Sequence, residues 1–175
     1  MQTQLNHQEF KARQHSRSNK IIFILENLEH MENIGSAFRL ADAFNIEKIV
    51  IISKNDINMQ KIKKTARNCE KTVSFVIYHT IDEALAEIKK YGYLPINVEI
   101  TSSSVPLREC QSNNAEGVAL IVGNENYGIS EEMLAKVPRS THIEMYGNNS
   151  SMNVIMALAI ATYKFSEDLL EKDGE

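Results

Sequence analysis

Residues 146–165, YGNNSSMNVIMALAIATYKF, join a loop of small polar residues to an apolar segment. From Val154 onward apolar and helix-favouring residues fill most positions, which predicts a helix buried against its own domain or against a partner. The start of a helix needs only one capping side chain. Five candidates precede this one: Asn148, Asn149, Ser150, Ser151 and Asn153. The excess raises the question of what the loop does besides capping.

The length and composition indicate one ordinary globular domain. The chain has 175 residues, enough for one complete core and few for two. Its formal net charge of −4 argues by itself against a nucleic-acid partner. Two basic groups oppose that reading: Lys11, Arg13, Arg17 and Lys20, and then Lys61, Lys63, Lys64, Arg67 and Lys71.

Targeting and metal-binding signals are missing from the sequence. Residues 1–14 have no apolar segment of the kind found in secretory signals, and no apolar run has the length of a membrane span. Cys69 and Cys110 are isolated, so neither a disulfide framework nor a zinc site is expected. We therefore expect a reduced, cytoplasmic protein with no metal and no membrane contact.

Short apolar runs alternate with helical patterns along the chain. Strands are predicted at 20–27, 48–53, 72–79, 93–100, 117–123 and 140–146. Helices are predicted at 33–45, 80–92 and 130–137 and from 154 onward. This alternation predicts an α/β domain with a mostly parallel sheet flanked by helices. Residues 1–19 are interpreted as a basic helical arm, and residues 20–175 as the domain itself.

In an open α/β sheet, ligands bind in the loops at the carboxyl ends of the strands. The loops concerned are 26–39, 101–110, 123–130 and 145–153, and all four are rich in small polar residues. Fingerprints of dinucleotide binding, P-loop NTP hydrolysis, serine hydrolases and zinc proteases are absent. A different chemistry is expected at this edge.

Three ordered motifs remain in these loops. They are NIGSAFR with Asn33 and Arg39, IVGNENYGIS with Gly123, Glu125 and Gly128, and SSMNVIMALA with Ser151 and Asn153. In this order and spacing, residues 20–165 resemble the TrmH-like (SpoU) RNA 2′-O-ribose methyltransferases of the SPOUT superfamily.

The resemblance implies a fold, a cofactor and partners. In that family the last strand and helix form a deep C-terminal trefoil knot, an exception to the rule that chains do not knot. The knot wraps S-adenosylmethionine, the last helix lies partly in a homodimer interface, and the substrate is tRNA or rRNA. The matching cofactor positions here are Thr101, Gly123, Ile143 and Met152. Small residues such as Gly147 and Ser150 would let the backbone approach the cofactor, which explains the loop that opens the quoted stretch.

The resemblance also implies catalytic roles. Arg39 would polarise the ribose hydroxyl and neutralise the developing alkoxide, since a guanidinium is too basic to serve readily as a general base. Asn33 would cap the first helix. Glu125 would contact Arg39, Asn33 or nearby backbone amides. Ser151 and Asn153 would orient the catalytic edge and the RNA.

Other interpretations stay open at this point. Arg39 could be a surface arginine paired with a carboxylate, and Ser151 and Asn153 could serve only as helix caps. The whole chain could be a flavodoxin-like binding or signalling domain, which would leave the Asn/Ser loop unexplained. It could also be a non-catalytic RNA-binding or ribosome-assembly protein with the same fold, although all five motif side chains are present.

Overall fold

A computed structural model describes residues 3–11 and 19–173. Within them seven strands form one sheet in the order β3-β2-β1-β6-β4-β7-β5, and every neighbouring pair is parallel. The strands are β1 Asn19–Glu26, β2 Ile46–Ile52, β3 Phe75–Tyr78, β4 Leu94–Val98, β5 Val105–Pro106, β6 Val118–Val122 and β7 Ser140–His142. The predicted α/β class with a mostly parallel sheet is confirmed.

Helices cover both faces of the sheet. They are α1 His7–Lys11, α2 Met31–Phe44, α3 Met59–Ala66, α4 Ile81–Lys89, α5 Glu131–Lys136 and α6 Val154–Asp173. One core contains the buried residues of α2, α3 and α6, and the other contains those of α4 and α5. Strands β1, β2 and β6 contribute to both cores, which is why their sequences are continuous apolar runs.

The predicted helix 80–92 forms as α4 because its start is encoded locally. Thr80 Oγ1 accepts a hydrogen bond from the Glu83 amide, and the Glu83 carboxylate accepts one from the Thr80 amide. This is the reciprocal capping box expected from the spacing of the two residues. The helix ends at Lys89, and Gly92 follows with a φ of 66°.

Three elements differ from the sequence-based expectation. Helix α3 was not predicted, because it is short and polar and shows only Ile62 and Ala66 as buried positions. Strand β5 has two residues and leaves no periodic signal. The predicted strand 140–146 ends at His142, because the short β5 gives it no partner beyond that residue.

The predicted N-terminal arm is described only in part. Helix α1 occupies His7–Lys11, and the sheet begins at Asn19. Arg13 and Arg17 of the first basic group lie outside the described residues.

Candidate functional site

A cavity of 510 Å³ lies at the carboxyl edge of the sheet, beyond β4, β6 and β7. This size falls within the usual range for small-molecule and cofactor sites. Apolar side chains form much of its wall: Val98, Ile129, Leu134, Ile143, Met152 and Ala157. The loop quoted at the start closes one side, since 150–153 all line the cavity. The excess polar residues before α6 therefore border a ligand-sized space.

The four positions expected to contact a cofactor come together at this cavity. Thr101, Gly123, Ile143 and Met152 all line it, although they come from four separate loops or strand ends. Ser150 lines it too, whereas a Cβ added at Gly147 would meet nothing within 4 Å. Among the described residues, no close packing therefore requires a glycine at position 147.

Glu125 connects the cavity to the start of α2. Its carboxylate accepts hydrogen bonds from the backbone amides of Glu29 (3.0 Å) and His30 (3.1 Å) and from Asn33 Nδ2 (2.8 Å). Burial by itself would raise the pKa of Glu125, but these donors stabilise the charged form, and the pKa lies below its ordinary value. Glu125 is therefore a carboxylate at neutral pH.

Asn153 extends this chain of hydrogen bonds to α6. Its Nδ2 donates to Asn33 Oδ1 at 3.2 Å, and its Oδ1 accepts from the amides of Ile155 and Met156. Asn153 thus caps α6, as the alternative interpretation proposed, but the same side chain also contacts Asn33. The side chains of Glu125, Asn33 and Asn153 join three motifs that lie far apart in the sequence.

Asn33 does not have the role that the sequence suggested. The residue preceding α2 is His30, which makes no capping hydrogen bond with its side chain, and Asn33 lies inside the first turn. The carboxylate of Glu125 satisfies the amides at this helix end instead. The expectation that Asn33 caps α2 was wrong, because a residue distant in sequence supplies the acceptor.

Arg39 lies on α2, exposed to solvent and two turns beyond Asn33. It makes no hydrogen bond or ion pair with the side chains that the structure describes, so none of their carboxylates holds it. Glu125 contacts Asn33 rather than Arg39. Side chains on a helix point towards its N-terminus, which for Arg39 is the Asn33 end. Arg39 does not line the cavity, and Ser151 does.

The 123–130 loop is held in a fixed shape by its own glycines and by two glutamates that the sequence did not single out. Gly123 packs so closely on Gly128 that an added Cβ would lie 2.3 Å from its carbonyl carbon. Glu99 accepts from the Ile129 amide at 3.1 Å, and the buried Glu26 accepts from the Ser130 amide and hydroxyl. No local pattern marks Glu26 or Glu99, because their partners are brought near only by the parallel sheet.

The arrangement suits a particular kind of ligand. The apolar wall can hold a flat organic ring, while the carboxylates of Glu99 and Glu125 at its margin favour a positively charged group. Among the side chains described, no three His, Cys, Asp or Glu residues converge as a metal site would require. None of the helices in residues 3–11 and 19–173 has the length and hydropathy needed to cross a membrane.

Fold and site together define an α/β protein with a ligand cavity at the carboxyl edge of a parallel sheet, closed by the loop before its last helix. The sequence model of the SpoU rRNA Methylase family matches residues 20–163, and the chain belongs to this family. The resemblance drawn from the three motifs is confirmed.

Relatives in sequence cover most of this chain. A tRNA (guanosine(18)-2′-O)-methyltransferase of Borreliella burgdorferi is 24% identical over 147 residues, which is 84% of this chain and 66% of the relative. A TrmH family tRNA/rRNA methyltransferase of Staphylococcus epidermidis is 24% identical over 161 residues, 91% of this chain and 64% of the relative. The chain thus spans slightly less than two thirds of the length of these curated relatives.

Solved structures share the fold. The A. aeolicus TrmH/SpoU tRNA modifying enzyme has a TM-score of 0.75 at 25% identity, and the match covers 90% of this chain and 79% of that one. An AdoMet-bound rRNA methyltransferase of Sinorhizobium meliloti has a TM-score of 0.78 at 18% identity, covering 89% of this chain and 59% of that one.

Proposed function

We propose that this protein is an S-adenosylmethionine-dependent RNA methyltransferase that methylates a ribose 2′-hydroxyl of tRNA or rRNA. The observation that carries the proposal is the cavity, where the four expected cofactor positions converge beside the Glu125–Asn33–Asn153 hydrogen bonds. The Borreliella burgdorferi relative is a tRNA (guanosine(18)-2′-O)-methyltransferase, which supports the ribose hydroxyl as the methyl acceptor.

The cavity fits S-adenosylmethionine by size and chemistry. Apolar side chains such as Ile143 and Met152 would pack against the adenine ring, and the margin offers Thr101 as a polar neighbour. When bound, the cofactor supplies an activated methyl group on a positively charged sulfonium. The carboxylates of Glu99 and Glu125, both in the cavity lining, would favour that positive charge.

A trefoil knot is part of this proposal, and the register of the sheet supports it. Val98 of β4 and Val105 of β5 both pair with Thr141 of β7. The six residues 99–104 therefore connect the two neighbours of β7 across that strand, since β4 and β5 lie on opposite sides of Thr141. In a trefoil knot, the chain beyond His142 would pass through the loop that contains residues 99–104 and would then continue as α6.

The chain's own residues would then perform the following tasks. Arg39 would bind the ribose hydroxyl and stabilise the negative charge that develops on its oxygen during transfer. Asn33, fixed by Glu125 and Asn153, would hold the start of α2 against the cavity and so set the position of Arg39. Ser151, exposed at the cavity margin, would contact the RNA.

A homodimer is also part of the proposal. Helix α6 buries Leu158, Phe165 and Leu169 against its own domain. Its opposite side exposes Met156 (63%), Ile160 (44%) and Tyr163 (60%) at helical spacing. A contiguous exposed apolar stripe of this kind favours a protein interface. A second copy of the chain is its proposed occupant.

The test combines cofactor binding with product analysis. Calorimetric titration with S-adenosylmethionine should show binding, and incubation with bulk tRNA and rRNA should yield 2′-O-methylated nucleosides by mass spectrometry. Ala157→Leu, which places a larger side chain in the cavity wall, should abolish both. Ala86→Leu, an exposed position on α4, is the matched control and should change neither.

The possible failures of this test differ in meaning. Absence of cofactor binding would contradict the proposal outright. A methyl group found on a base would contradict the ribose assignment alone. RNA binding without any transfer would favour the non-catalytic RNA-binding alternative.

A further inference from the structure

The solvent-facing side of α3 and the turn after it carry concentrated positive charge. We call this the basic segment, residues 61–71; its cations are Lys61, Lys63, Lys64, Arg67 and Lys71. The one acid within it, Glu70, is only 8% exposed. On a chain with a net charge of −4, this concentration is unlike the average surface.

The charges of the basic segment are left unpaired by the part of the chain that the structure describes. None of its five cations forms an ion pair with a carboxylate whose side chain the structure describes. Several lysines elsewhere are paired: Lys48 with Glu87, and Lys136 with Asp82 at 2.6 Å. Helix α3 is anchored by buried Ile62 and Ala66, so its lysines are free to contact something outside the chain.

Helix α3 lies directly beside the face of α2 that carries Arg39. A Cβ added at Gly35 would lie 2.7 Å from Thr65 Cβ and 2.8 Å from the Ile62 carbonyl oxygen, so the two helices touch there. Arg39 lies one turn further along the same face of α2. One turn beyond Arg39, Asp42 accepts a hydrogen bond from Thr72 Oγ1 at 3.1 Å.

Arg39 therefore lies along the line where α2 meets the basic segment. The electrostatics of Cys69, inside that segment, agree with this position. Burial and the neighbouring Asp42 raise the pKa of the Cys69 thiol, and the guanidinium of Arg39 opposes them. The charge of Arg39 therefore influences the pKa of a residue within the segment.

Arg67 occupies a backbone conformation that does not favour arginine. Its φ is 51° and that of the next residue, Asn68, is 71°, both in the left-handed region. Glycine is the usual residue at such a helix end, because it has no Cβ to clash with the backbone. Backbone preference therefore does not account for an arginine at this position.

We propose that the basic segment binds phosphates of the RNA substrate and thereby sets the target ribose beside Arg39. This inference rests on the proposed function. Lysine ammonium groups serve as point charges for phosphates, and the Arg67 guanidinium can bind one with two parallel hydrogen bonds. Phosphate contacts fix the position of a nucleic acid without reading its bases. The segment would therefore orient RNA rather than select a sequence.

The main experiment measures RNA affinity against salt. Fluorescence anisotropy with bulk tRNA, at salt concentrations from about 50 to 200 mM, should show affinity that falls steeply as salt rises. The triple variant Lys61→Gln/Lys64→Gln/Arg67→Gly should bind roughly tenfold to a hundredfold more weakly at low salt, with a salt slope smaller by about 2 to 3. Its KM for RNA should rise and its kcat at saturating RNA should fall, because the ribose is no longer held beside Arg39. The Kd for S-adenosylmethionine should not change.

Two single variants separate a local contact from general charge. Lys64→Gln and Lys89→Gln each remove one exposed lysine from the last turn of a helix. Only Lys64→Gln should weaken RNA binding. An equal loss in both variants would mean that overall charge governs affinity, and would overturn the inference.

Arg67→Gly guards against a loss caused by misfolding. Because glycine suits the left-handed backbone, this variant should melt at or above the wild-type temperature while binding RNA several-fold more weakly.

Wild-type affinity and salt slope in the triple variant would overturn the inference and leave methyl transfer standing. RNA binding through the segment with no methyl transfer would support the inference and end the proposed function. A wild-type protein that binds no RNA would contradict both.

Discussion

Glu125 is the residue through which the site is assembled. It belongs to the loop after β6, yet its carboxylate binds the amides of Glu29 and His30, just before α2, and the side chain of Asn33. Asn33 in turn accepts a hydrogen bond from Asn153, which caps α6. Since each side chain has a defined partner, the relative positions of α2, α6 and the cavity are fixed before any ligand arrives.

Arg39 has the most specific role in the proposed mechanism, which is to stabilise the developing negative charge on the ribose oxygen. Arg39→Ala should lower methyl transfer roughly a hundredfold to a thousandfold, because one charge-stabilising group is lost from the transition state. Cofactor affinity and melting temperature should stay close to wild type, since Arg39 lies outside the cavity lining and is exposed. Single-turnover methylation beside calorimetric cofactor titration measures both quantities.

The lysine variant tests the geometry of the group. Arg39→Lys should restore little activity, because a point charge does not replace a planar fork that can contact a hydroxyl and a phosphate together. A folded Arg39→Ala protein with near-wild-type transfer would end the catalytic assignment. Parallel losses of melting temperature, cofactor binding and activity would point to a structural role instead.

At the scale of elements, α4 is attached to the sheet by one buried carboxylate. Glu87, 7% exposed, binds Lys48 of β2 at 2.6 Å, Lys90 at 2.6 Å and the Tyr78 hydroxyl at the end of β3 at 3.2 Å. The hydrogen bonds from the two lysines lower the pKa of Glu87 to about 2. The carboxylate therefore links one helix to two strands.

This network predicts a pH-dependent stability. Because the folded-state pKa of Glu87 lies below its unfolded value, the carboxylate's contribution is present above pH of about 4.5 and is lost as pH falls towards 2. Glu87→Gln should lower the free energy of unfolding at pH 7 by about 1.5–3 kcal/mol, the range for hydrogen bonds to charged groups. Urea unfolding at several pH values measures this free energy for both proteins. Between pH 5 and 2 the stability of the variant should vary less than that of the wild type.

A comparison variant ranks the two lysines. The side chain of Lys90 is 70% exposed, whereas that of Lys48 is 18% exposed. Lys90→Gln should therefore cost much less stability than Lys48→Gln, since exposed ion pairs contribute little. Equal costs for the two would contradict the assignment of Glu87 as a buried anchor.

At the scale of the whole molecule, the apolar stripe on α6 sets the expected assembly. The protein should have twice the mass of the 19.8 kDa chain by light scattering at micromolar concentration. Met156→Lys/Ile160→Lys should yield a monomer, because two charges at the centre of an apolar interface are costly to bury. Ala86→Lys, at an exposed position of α4, should leave the dimer intact. A monomeric wild-type protein would refute the proposed interface.

Local patterns in the sequence predicted the elements that depend on neighbours along the chain. The Thr80–Glu83 capping box and the continuous apolar runs of β1, β2 and β6 were correctly interpreted, since their causes lie within a few residues. Helix α3 and strand β5 escaped prediction, because one is short and polar and the other has two residues. The family could also be identified from the sequence, because it depends on the order and spacing of three motifs.

Only the tertiary structure decided how those motifs meet. Glu125 and Asn33 are 92 positions apart and Asn33 and Asn153 are 120 apart, so no local rule could pair them or show that Glu125 stabilises the start of α2. The parallel sheet brings their loops to one edge, because every strand ends in the same direction. The position of α3 beside Arg39 was likewise hidden, since it depends on how closely two helices pack at Gly35. Spacing along a chain records local geometry, whereas contacts between distant loops arise only once the sheet has formed.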